Sequence, residues 1–183
     1  MEVLLRKFEE KDIPKLISWI PSKDFLIQFA GQAYQFSLIK QQLKKDIEEM
    51  EMKNNNLMYK VIEKETKNVI GHIQLIRINT IDKTGAIGRL LIGDKSTRGK
   101  GIGVKIVNQL LDIAFFEIGL KTIRLNVYDF NIGAISCYKK VGFTIVNRIE
   151  NKVEIDGEWR DCLVMEITLD KFLKLRQKDT FTS

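Results

Sequence analysis

The residues of this chain best suited to chemistry fall in two short stretches. The first, Arg98-Gly99-Lys100-Gly101-Ile102-Gly103, sets three glycines and two cations between an apolar run, Ala86 to Gly93, and an amphipathic helix. The inward face of that helix carries Ile106, Val107, Leu110, Leu111 and Ala114. Glycines in a strand-to-helix turn let backbone N–H groups converge, and the first helical turn adds unpaired donors and the positive end of its dipole. Such a turn is a cradle for a phosphate or pyrophosphate. A nucleoside-triphosphate loop is excluded, because no Lys-Ser or Lys-Thr follows the last glycine. A dinucleotide fingerprint is excluded as well, since Ile106 stands where its third glycine should be. The plain alternative is a glycine-softened helix start with solvated charges.

The second stretch runs from Asn131 to Phe143, after a strand in which Ile123, Leu125 and Val127 alternate with polar residues. Asn131 is a good N-cap, and Gly142 is well placed as the left-handed stop before Phe143 opens the next strand. Between them Ala134, Cys137, Tyr138 and Val141 share one helical face, which turns Tyr138 inward. A phenol with a reference pKa of about 10 stays protonated at neutral pH and can give a proton to a departing thiolate. The alternative is a buried tyrosine that packs and makes one hydrogen bond.

Arg98-x-x-Gly101-x-Gly103 resembles the acyl-coenzyme A pyrophosphate loop of the GNAT N-acetyltransferase superfamily. Asn131 to Phe143 resembles the N-x-x-A-x-x-x-Y-x-x-x-G-F signature of the same superfamily, and the two lie in its order and at its separation. The likeness extends from the first strand to the last. The ending Trp159 to Glu166 is similar to the branch that holds ribosomal-protein N-terminal and spermidine acetyltransferases.

The resemblance implies acetyl-coenzyme A as cosubstrate and, as acceptor, a primary amine of a small molecule or a protein N-terminus. It implies that the backbone of Arg98, Gly99, Lys100, Gly101, Ile102 and Gly103 holds the pyrophosphate. The pantetheine arm would run along Leu91, Ile92 and Gly93, with a backbone N–H there for the acetyl oxygen. Asn131 would contact the cofactor, and Tyr138 would be the general acid. No carboxylate stands at the position where some relatives carry a glutamate base, which is Ala86 here. His72 is one candidate base; deprotonation through water is the default. Two other functions compete: a module that senses acyl-coenzyme A without turnover, and a basic protein that binds nucleic acid.

At 183 residues, 44% hydrophobic and 30% charged, the chain suits one domain over residues 1–183, with a core over about 2–168 and a frayed tail over 177–183. Its N-terminus lacks the long apolar core of a signal peptide, so a cytoplasmic location and no membrane partner are expected. The 30 basic residues are interleaved with 24 acidic ones, and no basic tract alternates with aromatics, which argues against direct nucleic-acid binding. Cys137, Cys162 and the single His72 have no metal-ligand spacing, so no metal is expected. The resemblance allows a homodimer, and nothing in the residues requires one.

The elements that must position these stretches can be read in order. Strands are expected at 2–8, 57–64, 68–78, 85–93 and 121–128, with a closing hairpin, 143–154 and 158–168, turning at Asp156-Gly157. Helices are expected from Asp12 to Trp19, from Ser37 to Met50, after Gly101 and over 131–142, with a helical turn or two over 169–176. The aromatic segment Trp19, Phe25, Phe29, Tyr34 and Phe36 either walls the acceptor pocket or glues helices to the sheet. Strands with segregated helices argue for an α+β fold. The GNAT likeness makes the sheet mixed and mostly antiparallel, of about six to seven strands flanked by helices. It also splays that sheet between the strand before the glycine loop and the strand that follows.

Overall fold

The computed structural model describes residues 1–53, 55–93, 97, 99–155 and 157–181. Seven strands form one sheet: β1 (Val3–Lys7), β2 (Leu57–Glu63), β3 (Val69–Asn79), β4 (Thr84–Ile92), β5 (Thr122–Tyr128), β6 (Thr144–Ile155) and β7 (Glu158–Thr168). Their order is β1-β2-β3-β4-β5-β7-β6, and every pairing is antiparallel except that of β4 with β5. The parallel pair needs a crossover, which α4 (Ile102–Asp112) supplies, ending in a π turn over Ile113–Glu117. In β5 the alternation expected from sequence holds: Ile123, Leu125 and Val127 are buried, while Arg124 and Asn126 are exposed on the other face.

Helices cover both faces. Against one lie α4, α5 (Ile132–Val141) and α6 (Leu169–Phe181), burying Ile106, Leu110, Tyr138, Phe143 and Phe172 with the inward residues of β5 and β7. Against the other lie α1 (Ile13–Ser18), α2 (Lys23–Ala30) and α3 (Ile39–Lys53), whose Leu16, Leu26 and Leu43 pack with Phe8, Met58 and Leu91. Each such fully buried leucine contributes about 2 kcal/mol of apolar transfer.

Strand β4 takes part in both cores. Ile87 belongs to the α4 side and Leu91 to the α3 side, although a four-residue step in a regular strand keeps one face. The register explains this: His72 pairs with Leu91 and Gln74 with Gly88, so Arg89 and Leu90 together oppose Ile73. That β-bulge turns the strand over, and Arg89 occupies it with φ at 53°.

Two elements differ from expectation. The segment after Pro21 contains α2, capped by Ser22, whose hydroxyl accepts the Phe25 N–H at 3.2 Å; its aromatic, short sequence carries little helical signal. The final helix continues to Phe181, well past one or two turns, because Phe172 is buried in the core and Leu175 packs over Gly142. Gly157 of the closing hairpin has φ at 77°, as the two-residue turn requires, while Asp156 lies outside the described residues.

Candidate active site

Strands β4 and β5 pair only from Thr84–Thr122 to Ile87–Leu125, and beyond Ile87 they part. A cleft of about 1050 Å³ occupies the opening. Its lining falls into two halves. One is made by the start of α4, the facing side of α5 and the unpaired run of β4. The other is made by α2 and the loop after it, the end of β3, the middle of β6, and residues of β5 and β7.

The glycine loop stands at the first half. Gly99 and Gly101 have φ of 77° and 73°, a conformation that L side chains rarely adopt. A Cβ built on either meets nothing within 4 Å, so their walls are open space. Gly101 is the N-cap of α4 and offers no side chain there, leaving the first-turn N–H groups directed outward. Gly103 serves a different end: a Cβ on it would lie 2.9 Å from Cys137 Sγ, so it lets α4 and α5 approach closely. Gly99, Gly101, Ile102 and Gly103 all line the cleft; Lys100 is exposed and is absent from its wall. Arg98 lies outside the described residues.

Leu91 and Ile92 line the cleft, as the sequence expectation has them, and Gly93 does not. The Gly93 N–H donates to Ile70 O at 2.9 Å, and the Trp19 ring lies where a Gly93 Cβ would be, at 1.9 Å. Gly93 thus faces β3 and α1, its donor already engaged, because the bulge has shifted the phase of the strand. Leu91 O also faces β3, toward Gly71. The wall of the cleft on this strand is thus made by Leu90, Leu91 and Ile92.

Tyr138 lines the same half and is otherwise buried, its ring edge-on to Phe143 with centroids 5.9 Å apart. Burial raises its pKa above the ordinary tyrosine value, and Cys137 acts in the same direction. Among the described residues none hydrogen-bonds its hydroxyl. Asn131 caps α5 by accepting the Ala134 N–H at 3.2 Å, and it too lines the cleft. Cys137 is held as a neutral thiol: burial pushes it up to about 11 against the pull of Lys140.

His72 is fully buried, outside the cleft lining, and edge-on to Phe8 with centroids 4.7 Å apart. Burial, and then the charge of Arg89, lower its pKa to about 3, so a base reaching the cleft is not its role. It begins a chain the sequence did not reveal. Its Nε2 lies 2.9 Å from Gln74 Nε2, Gln74 Oε1 accepts from Arg89 at 2.7 Å, and Arg89 pairs with Asp46 at 2.9 Å. Tyr34 donates its hydroxyl to the same Asp46 carboxylate and lies under the guanidinium, 4.3 Å from ring centroid to Cζ. Arg89 is therefore clamped from β3, α3 and the aromatic segment at the bulge where β4 leaves β5. The only hint in the sequence was a lone charge in an apolar strand; a left-handed arginine has no sequence signature. Of the aromatic segment, Phe25 and Phe29 line the cleft, Tyr34 packs on Arg89, and Trp19 lies against Gly93.

A mixed sheet opened between its parallel strands, with a glycine loop at the head of the crossover helix, is the architecture of an acetyltransferase. The family model described as an acetyltransferase (GNAT) domain matches residues 2–144, and the chain belongs to that family. It is similar to spermidine N(1)-acetyltransferase of Vibrio cholerae, 31% identical over 113 residues, 62% of this chain. That match spans 64% of the length of the Vibrio enzyme. It is also similar to the probable N-acetyltransferase YjcK of Bacillus subtilis, 29% identical over 152 residues, 80% of this chain and 82% of that one. The solved structure of the Vibrio cholerae spermidine N-acetyltransferase in complex with CoA and spermine shares the fold. Its TM-score is 0.81 at 23% identity, over 93% of this chain and 98% of that one.

Proposed function

We propose that the protein is an acetyl-coenzyme A dependent N-acetyltransferase that acts on a primary amine, with Tyr138 as general acid. The observation that carries this reading is the placement of Tyr138 on the cleft wall, in the same half as the left-handed Gly99 and Gly101. Acetyl-coenzyme A, when bound, supplies the thioester. The reaction joins the amine nitrogen to the acetyl carbon and releases the thiol, so the protein has to position, polarise and protonate. Backbone donors of residues 99–103 and the positive end of α4 would hold the pyrophosphate, and the cations of this stretch, Arg98 and Lys100, would favour it by their charge. Asn131, its Oδ1 spent on the cap, retains an amide donor for the cofactor. Leu91 and Ile92 line the opened edge, where the arm would run, and a backbone N–H of this strand would meet the acyl oxygen. Such a donor polarises an acyl oxygen best when fixed in place, which is what the Arg89 clamp provides.

A raised pKa keeps Tyr138 protonated throughout the neutral range, the state a general acid needs. No carboxylate lines the cleft among the described residues, so deprotonation of the acceptor through water is the route that fits. The test is Tyr138→Phe, followed by thiol release and by direct titration of acetyl-coenzyme A. Affinity should stay near that of the parent while turnover falls by about 10² to 10⁴-fold. Equal loss of both would make Tyr138 a structural residue, and binding without release for any amine would favour a sensor.

A further inference from the structure

We infer that the acceptor is an amine bearing an anionic group, a carboxylate or a phosphate, and that polyamines are poor acceptors. This deepens the acetyltransferase reading and rests on it. Among the described residues the cleft is lined by Arg77, Arg89, Arg124, Lys140 and Lys152 and by no Asp or Glu. Lys140 belongs to α5, at the cofactor half. Arg89 is neutralised by Asp46, and Arg124 by Glu166, its Nε 2.7 Å from the carboxylate. Arg77 and Lys152 remain, both in the other half, and among the described residues neither side chain has an acidic partner.

Both cations are placed by irregularities in their strands. Arg77 sits in a register shift between Ile76 and Asn79, at φ 54°, its backbone N–H donated to Asn56 Oδ1 at 2.8 Å. Lys152 follows Asn151, at φ 47°, in the register shift between Ile149 and Val153. The Asp161 carboxylate fixes that bulge, accepting the Asn151 N–H at 2.9 Å and Arg148 Nε at 2.6 Å. Asp161 is thereby consumed in holding the strand, and Lys152 reaches the cleft. Bulges re-aim side chains, and here two of them direct unneutralised positive charge into the acceptor half.

A polyamine entering this half would bring further cations toward Arg77 and Lys152 with no free carboxylate to receive them. An anionic substituent would instead be attracted from both ends of the opened face. Phe25 and Phe29 give the intervening wall an apolar surface that suits the body of such a substrate.

The experiment compares kcat/KM for matched acceptors: β-alanine against propylamine for a carboxylate, glucosamine 6-phosphate against glucosamine for a phosphate, and spermidine as the polycation. Acetyl-coenzyme A binding is measured beside it by calorimetry. The expected result is a preference of about tenfold for at least one anionic member over its neutral partner, with spermidine below both. Arg77→Gln with Lys152→Gln should erase that preference, and Lys152→Glu should raise the rate with spermidine. Which pair responds tells carboxylate from phosphate. Equal rates within both pairs, spermidine as the best acceptor, or turnover of neither anionic amine by protein that binds acetyl-coenzyme A would each overturn the inference. A protein that binds no acetyl-coenzyme A would overturn the acetyltransferase reading itself.

Discussion

Substitution of Gly101 and Gly103 separates cofactor binding from helix packing, because the structure gives these two glycines different neighbours. At Gly101 a Cβ meets nothing within 4 Å, so Gly101→Ala costs the fold only the left-handed backbone strain, about 1 kcal/mol. For a chain of this size that lowers Tm by about 2–4 °C. The same methyl would stand at the mouth of the α4 N-terminus, where a phosphate must approach the backbone. Losing one or two charge-assisted bonds of about 1.5–3 kcal/mol each lowers acetyl-coenzyme A affinity by at least about tenfold. At Gly103 the added Cβ lies 2.9 Å from Cys137 Sγ, so overpacking of about 1–3 kcal/mol opposes a helix-propensity gain of about 1 kcal/mol. Gly103→Ala should therefore lower Tm more than it lowers affinity, and Cys137→Ala in the same chain should return part of the loss. Thermal unfolding and calorimetric titration of the two single variants and the double variant provide the readouts. Wild-type affinity in Gly101→Ala would refute the cradle; strict additivity of Gly103→Ala with Cys137→Ala would refute the contact.

Asp46→Asn should cost about 1–3 kcal/mol, because it removes the charge that neutralises the mostly buried Arg89, discounted for the partial exposure of Asp46. Chemical denaturation measures this, and an unchanged midpoint would mean that the clamp contributes nothing. His72 gives a pH dependence whose direction is set by burial. Its folded pKa of about 3 lies below the unfolded value, so the unfolded chain binds the extra proton. Its contribution is complete above about pH 6.5 and is lost by about 1.4 kcal/mol per unit as pH falls toward 3. His72→Gln should flatten that slope relative to the parent, as read from denaturation midpoints across pH 4 to 7; parallel slopes would contradict a buried neutral imidazole.

Much of this protein is written in local patterns. The period-2 alternation of Ile123, Leu125 and Val127, the cap at Asn131, the stop at Gly142 and the Asp156-Gly157 turn are decided by neighbours a few residues away. For that reason the succession of elements along the chain, and the two stretches that line the glycine-loop half of the cleft, were legible. The α2 helix was not: eight residues with two phenylalanines and no long periodic stripe carry little propensity, and the helix is held by its Ser22 cap and by Leu26 in the core.

The sequence by itself determined the family, the glycine loop and the tyrosine, because those depend on residue types at fixed spacing. The tertiary structure alone decided which groups face the cleft. One extra residue in β4 inverts the strand, withdraws Gly93 toward Ile70 and Trp19, and leaves Arg89 in a left-handed bulge. Two further bulges set Arg77 and Lys152 in the half of the cleft opposite the glycine loop, while Asp46, Asp161 and Glu166 are engaged elsewhere. A net charge of +6 carries no trace of that arrangement. Register and ion pairing join residues far apart in the chain, and their balance exists only once the sheet has formed.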